Sequence, residues 1–207
     1  MRPEAPRVSS VPAVVYLDRD GTLNRHVGFI GRPDQLELLP QAAPAVRRLN
    51  AAGVKAVLVT NQSILARGEC TPEGLAAIHD KLEAELRREG AFLDAVYLCP
   101  HHPAPGTPSP VAALSVACAC RKPGIGMIEQ AEAELGVPRE GAWVVGDATA
   151  DIAMAERAGV RSVLVRTGLG GRDGKHRARP DFIADDVGAA VDLILGGGGG
   201  PVSQLPR

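Results

Sequence analysis

Short apolar runs alternate with amphipathic segments along most of the chain. The runs that predict strands are residues 13–17, 54–60, 93–98, 142–146 and 161–165. Their near-continuous apolar character is typical of strands that are covered on both faces of a parallel sheet. The segments that predict helices are residues 41–52, 72–89, 124–135 and 149–158. This alternation predicts an α/β, doubly wound, mainly parallel sheet with right-handed crossovers.

Local signals mark where these segments begin and end. Thr71 and Pro72 suit the N-cap and the first position of a helix, and a glycine follows each helical segment, at Gly53, Gly90, Gly136 and Gly159. A weaker final unit follows, with a strand at 181–184 and a helix at 186–195. We therefore expect a flexible N-terminus over 1–12, one domain over 13–195 and a disordered Gly-rich tail over 196–207.

The composition is that of an ordinary globular protein, and it excludes several classes of function. Hydrophobic residues make up 45% and charged residues 23% of the 207 residues, and the formal net charge is −1. This balance provides no broad attraction for nucleic acid or anionic membranes. The chain has neither a run of about 18 apolar residues nor an apolar segment after its N-terminal arginines. We expect a cytoplasmic monomer without nucleic-acid or membrane partners.

Three of the four cysteines lie close together in the sequence. Cys99 precedes His101 and His102, and Cys118 and Cys120 follow after a charge-free, Pro-rich loop. In a reducing compartment such a cluster indicates a metal site, and three thiolates with one imidazole would complete a tetrahedral zinc site. The spacing does not choose between the two histidines, and the alternative is separate buried cysteines with surface histidines. Zinc would hold the loop, residues 99–120, in place. The fourth cysteine, Cys70, is expected to be a small, partly buried side chain.

Ionisable and polar residues follow several of the predicted strands. Asp18 and Asp20 follow the first strand, Thr60 ends the second, and Asp147 follows the fourth. These strand ends meet at one edge of a parallel sheet, where ligands bind. Of two acidic residues that lie two positions apart, one can act as a nucleophile while the other transfers protons. The alternatives are a surface turn for the first pair and a helix N-cap for Asp147.

Three further residues belong to the same pattern. Lys122 precedes a helix whose N-terminus favours anions. Asp151 is expected to cap a helix or to support other residues rather than to bind a metal directly. Strand alternation predicts that Arg19 points away from the site.

In this order, the D-R-D-G-T motif, the strand-end threonine, the lysine and G-D-x-x-x-D resemble the haloacid-dehalogenase-like hydrolase superfamily over nearly the whole chain. The resemblance implies that Asp18 is the nucleophile and forms an aspartyl-phosphate. Asp20 would act as general acid and then as base, while Thr60 and Lys122 would hold the phosphoryl oxygens. Mg²⁺ would be bound by the Asp18 and Asp147 side chains and by the Asp20 carbonyl.

A narrower resemblance rests on C-P-H-H-P, C-x-C-R-K-P, D-R-D-G-T-L-N and T-N-Q-S. These motifs are similar to those of the D-glycero-D-manno-heptose-1,7-bisphosphate 7-phosphatase family. The resemblance implies a structural Zn²⁺ site whose ligands are Cys99, His101, Cys118 and Cys120. It also implies a substrate site that consists of His26, Val27, Gly28, Phe29, Asn61, Gln62, Ser63 and Arg121.

Other features bear on the substrate. Only 39 residues separate Asp20 from Thr60, which leaves no room for a lid domain, so a capless enzyme is expected. The family often has glycine where this chain has Ile64, and lysine where it has Ala148. These departures concern the choice of sugar rather than phosphoryl transfer. The alternatives are a histidinol-phosphate phosphatase, which is a related capless enzyme, and a catalytically silent binding protein with the same fold.

Overall fold

The computed structural model describes residues 11–102, 111–196 and 203–204, and a single sheet runs through this part of the chain. Its strands are β1 (Val14–Leu17), β2 (Lys55–Asn61), β3 (Ala95–Cys99), β4 (Trp143–Gly146), β5 (Arg161–Val165), β6 (Phe182–Ala184) and β7 (Ser203–Gln204). Their order is β3-β2-β1-β4-β5-β6-β7, and all neighbours are parallel except β6 and β7. The order reverses at β1, so the chain winds in both directions from this strand, as the sequence predicts.

Helices cover both faces of the sheet. They are α1 (Ala42–Ala51), α2 (Pro72–Arg88), α3 (Gly126–Leu135), α4 (Thr149–Ala158) and α5 (Val187–Ile194), and short 3₁₀ helices span Pro33–Gln35 and Ala112–Leu114. Buried side chains of α1, α2 and α5 form one hydrophobic cluster with the sheet, and those of α3 and α4 form a second cluster on the opposite face. The predicted α/β fold is therefore confirmed.

The first strand shows why its sequence is apolar throughout. Val15 and Leu17 belong to the first cluster, whereas Val14 and Tyr16 belong to the second, and all four side chains are fully buried. Side chains of a strand alternate between the two faces, so a strand inside a doubly covered sheet needs apolar residues at every position.

The helix boundaries follow the signals in the sequence. The Thr71 hydroxyl accepts a hydrogen bond from the Gly74 amide at 3.1 Å, and Pro72 is the first residue of α2. Helices α3 and α4 end at Gly136 and Gly159, whose φ angles of 63° and 71° lie in the left-handed region that glycine adopts without strain.

The structure differs from the sequence prediction in the C-terminal tail. Ser203 and Gln204 form β7, which pairs antiparallel with β6, although the tail over 196–207 is predicted to be disordered. The outer edge of β6 has unpaired backbone donors and acceptors, and an extended segment can form hydrogen bonds with them. Residues 1–10, 103–110, 197–202 and 205–207, on which other predictions for the termini and the Pro-rich loop fall, lie outside the described residues.

The described chain offers no second layer above the carboxyl edge of the sheet. All of its strands belong to one sheet, and no separate lid domain is present within the described ranges, in agreement with the capless prediction. None of the helices in these ranges combines the length and the apolar character that a membrane crossing requires.

Candidate active site

The carboxyl ends of β1, β2 and β4 open into a cavity of about 620 Å³. Most of the residues that the sequence assigns to the site line this cavity: Asp18, Asp20, His26, Gly28, Phe29, Thr60, Asn61, Gln62, Ser63, Arg121, Lys122 and Asp147. Val27 is the one member of the predicted substrate loop that does not line it, and its side chain is 49% exposed. The parallel sheet thus brings together residues that are up to 129 positions apart (147 − 18).

Lys122 lies between two aspartates at the base of the cavity. Its Nζ is 2.5 Å from Asp18 Oδ1 and 2.6 Å from Asp151 Oδ1, and it donates to the Val59 carbonyl at 3.0 Å. Burial alone would lower the pKa of Lys122, but the Asp151 and Asp18 carboxylates raise it above its ordinary value. The ammonium group therefore stays charged in the protein interior, where it can stabilise negative charge next to Asp18.

Asp18, Asp147 and Asp151 form a buried acidic cluster, and each offers an oxygen within 4.8 Å of the others. Burial and neighbouring carboxylates raise the pKa of Asp18 to about 7 and that of Asp147 to about 8. A Cβ atom at Gly21 or Gly168 would overlap the Asp147 carboxylate, so both positions require glycine. Such a set of hard oxygen donors with excess negative charge fits Mg²⁺.

Both carboxylate oxygens of Asp151 already have partners within the protein. Its Oδ2 accepts a hydrogen bond from the Ala148 amide at 3.0 Å, and its Oδ1 pairs with Lys122. It therefore caps α4 and supports the lysine, as the sequence predicts. Asp18 and Asp147, together with the Asp20 carbonyl, remain the predicted magnesium ligands.

The acidic cluster predicts that Mg²⁺ stabilises the protein more at high pH than at low pH. Both pKa values are raised above the ordinary 3.8, so the folded state binds protons more tightly than the unfolded state. The stability that these groups contribute is present below about pH 4 and is lost as the pH rises towards 8. Mg²⁺ binds the ionised form, so it should add little at about pH 5.5 and most at about pH 8.

Melting temperatures with and without Mg²⁺ test this expectation. At about 100 times the Kd, binding contributes about 2.7 kcal/mol, which corresponds to roughly 5–11 °C for a chain of this length. Asp147→Asn should remove most of this increase, whereas Asp34→Asn, an exposed site, should retain it. If Mg²⁺ raised the melting temperature equally at both pH values, this result would contradict Mg²⁺ binding by these carboxylates.

Asp20 is held by three neighbouring side chains. Arg19 donates to both carboxylate oxygens at 2.9–3.2 Å, Asn24 donates to Oδ1 at 3.1 Å, and Gln62 donates to Oδ2 at 3.0 Å. Burial would raise the pKa of Asp20, but Arg19 and these hydrogen bonds together lower it below the ordinary value. Arg19 does not line the cavity, as strand alternation predicts, but its contact with Asp20 was not predicted.

Two of the predicted substrate residues also organise the protein itself. Asn61 accepts a hydrogen bond from the Lys122 amide at 3.0 Å and donates to the Lys122 carbonyl at 3.2 Å. Gln62 donates to the Thr60 hydroxyl at 2.8 Å as well as to Asp20. Asn61, the last residue of β2, therefore fixes the Lys122 backbone, and Gln62, which follows it, fixes Asp20.

The cysteine cluster assembles beside the cavity. Sγ of Cys118 lies 3.6 Å from that of Cys99 and 3.4 Å from that of Cys120, and His101 Nδ1 lies 3.3 Å from Cys120 Sγ. These separations are too long for a disulfide, and they approach the roughly 3.8 Å between two sulfurs of a tetrahedral zinc site. Burial and the neighbouring thiols raise the pKa of the Cys99 thiol, so a cation is needed to hold this residue as a thiolate. The donor set therefore fits Zn²⁺.

The structure also distinguishes the two histidines. His101 faces the three sulfurs, whereas the His102 Nε2 lies 3.0 Å from Arg67 Nη2 at the mouth of the cavity. Arg67 in turn lies over the Phe29 ring at 4.8 Å. Cys70 stands apart from the cluster as a half-buried free thiol, as predicted.

One wall of the cavity was not predicted from the sequence. After β5, the Leu169 amide donates to Asp147 Oδ2 at 2.6 Å. Asp173 accepts hydrogen bonds from the amide and hydroxyl of Thr149, and Lys175 and His176 line the cavity. The signal that could have found this wall is the Gly-Leu-Gly-Gly sequence over 168–171, which begins three residues after the end of β5 at the carboxyl edge.

Comparison with known proteins identifies relatives of this chain. A family model described as HAD-hydrolase-like matches residues 119–190. The chain is 42% identical over 187 residues to the D-glycero-D-manno-heptose-1,7-bisphosphate 7-phosphatase of Thermosynechococcus vestitus, covering 87% of this chain and 94% of that protein. It is 38% identical over 160 residues to D-glycero-beta-D-manno-heptose-1,7-bisphosphate 7-phosphatase of Escherichia coli, covering 77% and 81%.

A solved structure shows a similar fold. The D,D-heptose 1,7-bisphosphate phosphatase from B. bronchiseptica, in complex with magnesium and phosphate, has a TM-score of 0.76 and is 35% identical. The match covers 89% of this chain and 98% of that one.

Proposed function

We infer the function of this chain from its family: it belongs to the haloacid-dehalogenase-like hydrolases and, within them, to the D-glycero-D-manno-heptose-1,7-bisphosphate 7-phosphatases. It is a Mg²⁺-dependent phosphoric monoester hydrolase that removes the 7-phosphate from this small sugar bisphosphate. The observation that carries the proposal is the position of Asp18 at the mouth of β1, where Lys122 and Asp147 converge on it.

In the proposed mechanism, the Asp18 carboxylate attacks phosphorus and forms an aspartyl-phosphate. Arg19 and the neighbouring donors keep Asp20 ionised in the free protein, so Asp20 takes up a proton when the negatively charged phosphate binds beside it. As the bond from phosphorus to the sugar oxygen breaks, Asp20 gives this proton to that oxygen. Asp20 then accepts a proton from the water that attacks the aspartyl-phosphate, which releases phosphate and restores Asp18. Thr60 and Lys122 hold the phosphoryl oxygens through these steps.

Electrostatic repulsion is the main obstacle to this attack. A carboxylate that approaches a phosphate dianion meets about 4 kcal/mol of repulsion per pair of unit charges at about 4 Å and an effective dielectric constant near 20. Lys122 offsets part of this repulsion from its position against Asp18. Asp18, Asp147 and the Asp20 carbonyl would hold Mg²⁺, which would supply further positive charge against this repulsion.

Basic side chains that line the cavity supply positive charge for a second phosphate. Arg121 lines the cavity and donates to the His101 carbonyl at 3.0 Å, so the zinc-binding segment orients its guanidinium group. Lys175 and Arg157 also line the cavity. This charge supports a bisphosphate as substrate rather than histidinol phosphate, whose amino group is cationic. That the protein acts in the cytoplasm, as a monomer and without other partners, stays a prediction from the sequence.

Comparison of the two substrates tests this proposal. We expect kcat/KM for D-glycero-D-manno-heptose 1,7-bisphosphate to exceed that for histidinol phosphate by at least about 10-fold, because one charge-assisted hydrogen bond contributes about 1.5–3 kcal/mol. Arg121→Met should reduce this preference, whereas Arg47→Met, on the exposed surface of α1, should not. The measurement is phosphate release, together with identification of the sugar 1-phosphate as product. A preference for histidinol phosphate would contradict the proposal.

A further inference from the structure

The buried arginine between the two catalytic aspartates is not used by the mechanism described above. Arg19 is fully buried and does not line the cavity. It contacts both oxygens of Asp20, the Gln62 Oε1 at 3.1 Å and the His79 Nε2 at 3.1 Å. A buried cation is costly unless its donors are satisfied, so these partners define the position of the guanidinium group.

His79, in helix α2, supports this arginine through its Nε2. Its side chain is buried, with 8% exposed. Burial, together with the Arg19 charge, lowers the pKa of His79 to about 4. The imidazole is therefore neutral near pH 7, and its Nε2 can accept the hydrogen bond from Arg19 Nη1.

The contacts form a connected network that ends at the proton-transfer group. His79 orients Arg19, Arg19 orients the Asp20 carboxylate, and Arg19 also sets the Gln62 amide so that it donates to Asp20 and Thr60. Proton transfer needs a carboxyl oxygen within hydrogen-bond reach of the ester oxygen, and small displacements of a catalytic group reduce the rate strongly. The network restricts Asp20 to one orientation.

We propose that Arg19 and His79 are positioning residues for Asp20, and that they act on the step in which the leaving sugar oxygen is protonated. The inference rests on the proposed phosphatase function. In this step the Asp18–phosphorus bond forms, the phosphorus–oxygen bond of the ester breaks, and the Asp20 proton moves to the departing oxygen. An ester whose leaving group is a weak base needs this proton far less than a sugar ester does.

The experiment compares kcat/KM for the heptose bisphosphate and for p-nitrophenyl phosphate, since this parameter reports steps only up to transfer of the phosphoryl group to Asp18. His79→Leu should lower the value for the sugar by about 10-fold and that for the aryl ester by less than about 3-fold. Arg19→Met should lower the value for the sugar by about 100-fold. His79→Gln, which keeps an acceptor for Arg19, should restore most of the lost activity.

Leu82→Ala is the matched control, because Leu82 is also buried in α2 but does not belong to the hydrogen-bond network around Arg19. It should lower the melting temperature and leave the ratio of the two kcat/KM values unchanged. Equal losses on both substrates in His79→Leu, or a ratio like that of the wild type, would overturn the inference. If Arg19→Met does not fold, the His79 variants decide. A wild-type protein that hydrolyses neither ester would instead refute the proposed function.

Discussion

Replacement of Asp18 by asparagine is expected to lower Mg²⁺-dependent phosphate release by at least about 10⁴-fold, the scale that loss of a nucleophile has in other hydrolases. Asparagine has nearly the same size and shape, but its amide cannot form the aspartyl-phosphate. It also offers a weaker ligand to magnesium. Lys122 keeps its ion pair with Asp151, so the geometry around the site should persist. The measurement is kcat/KM for the heptose bisphosphate with saturating Mg²⁺.

The stability of this variant distinguishes chemistry from folding. Asp18→Asn removes a buried carboxylate whose pKa is raised to about 7, so at about pH 8 the metal-free variant should melt no lower than the wild type. Asp34→Asn makes the same chemical change at an exposed ion pair and should keep full activity. Activity of Asp18→Asn within about 10-fold of the wild type would exclude Asp18 as the nucleophile.

Loss of the zinc site is expected to damage both stability and catalysis. We expect close to one Zn²⁺ per chain in the wild type and little in Cys118→Ser, because Cys118 is adjacent to two other ligands in the cluster. Loss of a structural metal commonly costs more than about 4 kcal/mol, which corresponds to a decrease in melting temperature of roughly 10 °C. Activity should fall with it, because Lys122 lies only two residues beyond Cys120.

Cys70→Ser is the matched control for this experiment. It makes the same substitution at a half-buried thiol that does not belong to the cluster. Zinc content, measured by elemental analysis, and activity should both stay at the wild-type level. Full zinc occupancy in Cys118→Ser would rule out this residue as a ligand.

Much of the fold follows from local patterns that the sequence displays directly. The apolar residues of β1 have to fill two hydrophobic clusters at once, which explains why the run shows no alternation. Strand ends then place Asp18, Thr60 and Asp147 at one edge whatever the intervening sequence contains. The resemblance to a known family added the roles of these residues and the choice of His101, which spacing alone left open.

What could not be predicted depends on contacts between distant segments. Arg19 meets His79 across 60 positions, and Asn61 meets the Lys122 backbone across 61 positions. Neither contact leaves a periodic or compositional trace. Similarly, the wall after β5 depends on the Asp173–Thr149 hydrogen bonds, and β7 depends on the free edge of β6. Such pairings follow from the assembled sheet rather than from either segment alone.

The absence of a lid domain from the described residues has a consequence for the acceptor of the phosphoryl group. Loop side chains such as Phe29, which is 50% exposed, line the cavity above the buried Asp18, so water can reach a phosphorylated Asp18 without the opening of a lid domain. Water then outcompetes other hydroxyl compounds through its concentration alone. The open cavity thus favours hydrolysis of the aspartyl-phosphate over transfer of its phosphoryl group to another sugar.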